Sequence, residues 1–151
     1  MISRAIAAGT CGGLAMIPVG LGLRLGLGRA VNVYGELVVQ TLLGRASLWA
    51  LVVEHVLISW ALAAPLVLLA PRVRRGPFLI AGLTYGAAIW VVLNSLMLPV
   101  LFGRPTAWRI GWPAIWPSLT VHLVYGVATA AAALVVSRRG YRTHLVSGGN
   151  R

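Results

Sequence analysis

Long apolar runs separated by short arginine-bearing segments dominate the chain. Four runs, Ala5 to Leu23, Leu48 to Ala70, Phe78 to Leu101 and Ser118 to Val136, hold 19 to 24 residues each. At about 1.5 Å of rise per residue, each can cross roughly 30 Å of hydrocarbon as a helix. A backbone in lipid finds no water to bond, so unbroken runs of this length are helices. The pattern predicts an all-α integral membrane protein with four transmembrane helices. Residues 1–139 form this membrane domain, and residues 140–151, including His144, form a polar, mobile C-terminal tail.

The segments between the runs carry patterns of their own. From Ala30 to Leu43, Val31, Tyr34, Val38 and Leu42 recur at near-helical spacing. That spacing predicts a short amphipathic helix lying at the interface. Between the third and fourth runs, Trp108, Trp112 and Trp116 stand four residues apart. An aromatic belt at headgroup level is the expected role; a lid or docking face is the sharper alternative. Pro18 lies in the outer part of the first run and is expected to kink it, freeing the Leu14 carbonyl.

Small residues inside the runs suggest an internal duplication. Gly9 and Gly13 on the first helix match Gly82 and Gly86 on the third, each a G-x-x-x-G face suited to close helix approach. His55, Ser59, Ala61 and Ala63 on the second keep the spacing of His122, Gly126, Ala128 and Ala130 on the fourth. The offset is 73 residues for the first pair of helices and 67 for the second. Two tandem hairpins in one orientation, related by an axis along the membrane normal, would give this pattern.

Composition agrees with the membrane class. Hydrophobic residues make up 59% and charged residues 10% of the 151, against about 25% charged in a soluble domain. All 13 basic residues are arginine, and the net charge is +11. In a soluble protein that charge would suggest nucleic acid. Here the arginines lie between apolar runs, so they read as topology signals and headgroup anchors, with the lipid bilayer as the partner and nucleic acid excluded. Eight lie at the N-terminus, in the second loop and in the tail, and five in the first and third loops. The bias predicts both termini in the cytoplasm. The single cysteine, Cys11, excludes an intramolecular disulfide and is expected as a small packing residue. No A-x-A cleavage signal follows the first run, which is expected to remain as a helix.

Glu36 and Glu54 are the two acids, and Glu54 lies beside His55 within the second run. An ionised group at the centre of a membrane helix costs about 2.5–3.5 kcal/mol on insertion scales. Such a residue marks a polar network, a site or a partner contact. Glu54, His55, Asn94 and His122 all fall roughly 6–11 Å below the outer boundary at helical rise. His55 shares an i+4 line with Ser59 and Ala63, His122 with Gly126 and Ala130, and Asn94 with Gly82 and Gly86. One reading is a hydrogen-bonded layer in which Glu54 and Asn94 pair with the histidines and hold the helices in register. A second is a haem or metal site with the histidines as ligands and Arg45, Arg104 or Arg109 near the propionates. A third is a proton or small-solute path in an oligomer. No Ser/His/Asp set, phosphate loop or H-E-x-x-H motif is present, so catalytic and metal residues are not assigned.

The segments "AIAAGTCGGLAM" in helix one, "AGLTYGAAIWVVLNSLMLPV" in helix three and "HLVYG" opening helix four resemble a family of small four-helix bacterial inner-membrane proteins of unknown function. The resemblance covers roughly residues 3–137 and implies a bacterial inner-membrane location, without catalytic residues to carry over. Family members often have a methionine-rich, acid-containing first outer loop, where this chain has Arg24, Arg29 and Glu36. The expectation is a non-enzymatic accessory or scaffold subunit without a cofactor, organised by the polar layer and open to a homo-oligomer or membrane-complex partner. A haem- or metal-binding redox protein and an oligomeric transporter are the alternatives.

Overall fold

The computed structural model describes residues 1–28 and 33–148. Every regular element among them is helical, and four stretches are long and apolar enough to cross a membrane: Ile2–Leu27, Leu48–Arg72, Arg75–Leu101 and Trp112–Ser137. The chain is a multi-pass, all-α membrane protein. Its helices overrun the apolar runs by several residues at most ends, because a formed helix propagates at little cost into flanking residues.

Helix α1, Ile2–Leu27, passes through Pro18 without interruption and ends at Gly28. Gly28 adopts φ 61°, a left-handed conformation that only glycine enters freely, and its N–H returns to Arg24. Helix α2, Val33–Leu43, is the short helix expected from the spacing, and it packs on α3, Leu48–Leu69. Its inward face differs from the expected one. Val39 is buried and Leu42 is 75% exposed, because α3 covers one flank of α2 rather than the stripe running through Leu42. Val31 lies outside the described residues. Ser47 caps α3, its hydroxyl accepting from the Ala50 N–H at 3.3 Å.

At its C-terminal end α3 tightens into the 3₁₀ turn Ala70–Arg72, where Pro71 cannot continue the helix. Helix α4, Arg75–Ile89, then starts the third span. The span opens into wide π-helical turns over Trp90–Met97 and closes with α5, Leu98–Leu101. Pro99 cannot donate to the Ser95 carbonyl, and in an α-helix its ring would clash there. The wider turns upstream relieve that clash. Helix α6, Ala107–Ile110, precedes α7, Trp112–Gly148, which starts six residues before the expected span. Pro113 fits there because first-turn N–H groups have no helical acceptor. The α7 backbone stays helical through most of the segment expected as a tail; residues 149–151 lie outside the described residues.

The spans do not pack as a simple ring. α1 and α7 form the most extensive pair, α4 packs on α7 and α3 on α1, while α3 and α4 scarcely meet. Small residues build the core: Ala8, Ala63, Ala130 and Ala133 are fully buried, with Phe78, Leu66 and Val67 around them. Cys11, expected in packing, lies on the exposed face of α1. The inward faces of α1 are held by the glycines on either side of it.

Candidate functional site

The two hairpins are built on equivalent contacts. A methyl group placed on Gly9 would lie 2.5 Å from the Ser59 carbonyl oxygen; one placed on Gly82 would lie 2.6 Å from that of Gly126. Ser59 and Gly126 are the residues paired by the sequence repeat. One step along, Gly13 faces Ser59 and His55, and Gly86 faces Gly126 and the His122 backbone. Neither helix pair could approach so closely with any side chain at these glycines. The duplication read from spacing therefore appears as matching helix–helix contacts.

Four side-chain hydrogen bonds cross between spans among the described residues. Trp60 Nε1 donates to Thr10 Oγ1 at 2.9 Å, joining α3 to α1. Tyr125 donates from α7 to the Ser59 carbonyl at 2.7 Å, and Tyr85 from α4 to the Leu62 carbonyl at 2.8 Å. Asn94 Nδ2 donates to Ser118 Oγ, tying the π-helical segment to α7. A bond of this kind in a membrane contributes about 0.6 kcal/mol on average. The larger effect is on register, since each fixes one helix against another at a defined height.

The four residues expected in one layer are divided by the structure. Asn94 and His122 converge on Ser118: Asn94 takes its hydroxyl, and His122 Nδ1 contacts its carbonyl at 2.7 Å. A carbonyl only accepts, so Nδ1 carries the proton and Nε2 is left as the acceptor nitrogen. His55 lies across the bundle on α3, near Gly13. Glu54 takes no part in this cluster. Among the described residues it makes no hydrogen bond or ion pair. It is half-buried beside the exposed Val53, Leu57 and Ile58. The pairing of Glu54 and Asn94 with the histidines is not formed, because a 100° step separates Glu54 from the inward line of His55 and Ser118 lies nearer to Asn94.

Several residues in this region were not singled out by pattern. Ser118 was read only as the edge of a span. Gly12 lies beside the G-x-x-x-G pair and faces α7, where a methyl group would collide with Thr129 and the Tyr125 ring. The signal available for it was a third glycine, one residue off the Gly9/Gly13 line. Trp90 is buried against Trp108, with ring centroids 5.3 Å apart and planes at 75°. The indole N–H of Trp90 and the hydroxyl of Ser95, both in the π-helical segment, are buried without a hydrogen-bond partner among the described residues.

The tryptophans Trp108, Trp112 and Trp116 do not share one helix face. Gly111, at φ 95°, turns the chain between α6 and α7. Trp108 thereby meets Trp90, while Trp112 is 68% exposed and Trp116 half-buried. No group of three or more His, Cys, Asp or Glu residues suited to a metal ion occurs among the described residues. No protein-family model, curated protein or solved structure matches the chain.

Proposed function

We propose that this membrane protein is a non-enzymatic accessory subunit, docking to a second membrane protein through the outer half of α3. The observation that supports it is Glu54. This carboxyl group lies within a membrane span, half-buried and without a partner among the described residues, on a face whose neighbours Val53, Leu57 and Ile58 are exposed and apolar. A membrane-embedded carboxyl group is costly alone and pairs with a partner or faces a polar path. Other polar side chains of the spans, in Asn94–Ser118, Tyr85–Leu62 and Tyr125–Ser59, join helices of this chain to one another. Glu54 is the one acidic side chain within a span, and no such bond involves it among the described residues.

In this reading the protein resides in the bacterial inner membrane with both termini cytoplasmic, as the arginine bias and the family resemblance suggest. A photo-cross-linker at Val53 or Leu57, used in intact membranes, should form an adduct with a second membrane protein. Glu54→Leu should abolish that adduct, and a probe at Val135 on α7 should give none. Cross-links to lipid alone at Val53 and Leu57 would remove the accessory reading; an adduct of twice the chain mass would make the partner a second copy.

A haem- or metal-binding role is the second reading, favoured by His122 alone. Its Nδ1 contact to Ser118 leaves Nε2 available, the arrangement common for a metal ligand. Against it, Gly13 and Ser59 pack directly between α1 and α3 beside His55. A Soret band in purified protein, lost in His55→Ala and His122→Ala, would reverse the preference.

A further inference from the structure

The sequence repeat equates the α1–α7 interface with the α4–α3 interface, yet the first is tight and the second stands open. The difference lies at one pair of equivalent positions. On α1, Gly12 admits the Tyr125 ring and the Thr129 hydroxyl of α7. On α4, the residue 73 positions later is Tyr85, whose side chain spans the gap and donates to the Leu62 carbonyl of α3. Leu62 is itself the repeat equivalent of Thr129. A phenol ring therefore stands where the other interface has no side chain, and the helices are held apart.

The result is a lateral cleft of about 360 Å³ between α3 and α4, lined by Pro65, Leu66, Leu69, Ala81, Thr84 and Ala88, with Tyr85 alongside. Its few polar groups are already bonded. Thr84 Oγ1 donates to the Ala81 carbonyl at 3.0 Å, and the Tyr85 hydroxyl is taken by Leu62. The cleft thus offers nothing to a polar ligand and an apolar wall to a hydrocarbon chain. Beyond the Leu69 end of the cleft, the loop joining the same two helices carries Arg72, Arg74 and Arg75, all exposed. Leu69 precedes Arg72 by three residues, roughly 5 Å of helix. Arg72 is folded back on the end of α3, donating to the Leu68 carbonyl, which holds its guanidinium at that end.

We propose that the α3–α4 cleft binds one anionic phospholipid, an acyl chain lying against Leu66, Ala81 and Ala88 and the phosphate held by Arg72, Arg74 and Arg75. Guanidinium groups match phosphate oxygens in pairs, so three of them beside an apolar cleft select charge and chain together. An arginine at an anionic lipid surface contributes about fivefold in binding. This inference is independent of the accessory role and of the Glu54 face.

Native mass spectrometry of the detergent-purified protein, incubated with equal amounts of phosphatidylglycerol and phosphatidylcholine, tests it. One phosphatidylglycerol should be retained, favoured at least tenfold over phosphatidylcholine. The double variant Arg74→Gln, Arg75→Gln should lose most of that preference, since two such contributions amount to about 25-fold. Ala88→Trp places a large side chain at an exposed position in the cleft and should release the lipid although the arginines remain. Thr84→Phe on the same wall serves if that variant does not fold. Inorganic phosphate should not displace the lipid. Equal retention of the two lipids, undiminished binding in the cleft-filling variants, or displacement by inorganic phosphate would each overturn the proposal.

Discussion

Gly12 and Tyr85 occupy equivalent positions in the two hairpins, and between them they decide which interface of the bundle closes. The absence of a side chain at Gly12 brings α1 and α7 together; the phenol at Tyr85 keeps α3 and α4 apart. Two copies of one hairpin thereby pack as an asymmetric four-helix unit.

The glycine contacts are expected to dominate stability. Gly126→Val places a branched side chain where the Gly82 carbonyl and the Gly86 backbone already meet α7. Overpacking typically costs about 1–3 kcal/mol, and backbone on the opposing side leaves no flexible group to give way. The melting temperature in detergent should fall markedly. Gly22→Ala meets nothing within 4 Å and should leave it unchanged or slightly higher.

Asn94 and Ser118 should behave as one unit. A double-mutant cycle of Asn94→Ala and Ser118→Ala is expected to give a coupling of about 0.6 kcal/mol, with an upper range near ~1.7 kcal/mol. Steric-trap unfolding in bicelles measures it. Additive single effects would show that the bond between the π-helical segment and α7 contributes nothing.

Tyr85→Phe removes the hydroxyl that reaches Leu62, and Tyr125→Phe the one that reaches Ser59. Each should cost about 0.6 kcal/mol. The Tyr85 variant should also increase the mobility of α3 relative to α4, read as a broader spin-label distance distribution between exposed positions such as Leu69 and Leu83. No broadening is expected between α1 and α7.

Tyr34 lies outside the spans, on α2. Its burial raises the phenol above the ordinary value of 10.0, partly opposed by the Arg104 charge. The folded protein therefore holds this proton more tightly than the unfolded chain. The associated stability is present below pH 10 and is lost as pH rises through the folded-state value. The difference between the absorbance titrations of the parent protein and Tyr34→Phe near 295 nm should be a phenol that ionises later than a free one. Tyr34→Phe should weaken the alkaline loss of stability, and an unchanged profile would place the effect elsewhere.

The hairpin repeat was legible because it is local. Gly9 and Gly13, Gly82 and Gly86 fall at i and i+4, and a helix puts such positions on one face whatever lies opposite. The His55/His122 offset matched Ser59 to Gly126, but that these two lie opposite the glycines came only from the packed helices. The polar layer was only partly legible. Asn94 and His122 do meet, but through Ser118, and Glu54 stands apart because one residue of helix is a 100° turn. Trp108 could not be separated from Trp112 on spacing alone, since the break depends on Gly111 taking a positive φ.

The sequence alone determined four membrane helices, their approximate ends and the close-packing faces. Hydrocarbon admits no unpaired backbone, and the helical period converts spacing directly into a face. Tertiary structure decided which faces met. Whether α7 lies against α1, whether α3 closes on α4 and where Asn94 finds its acceptor depend on side-chain volumes and hydroxyl positions contributed by two helices at once. Gly12 has its meaning only opposite Tyr125 and Thr129, and Tyr85 only across from Leu62.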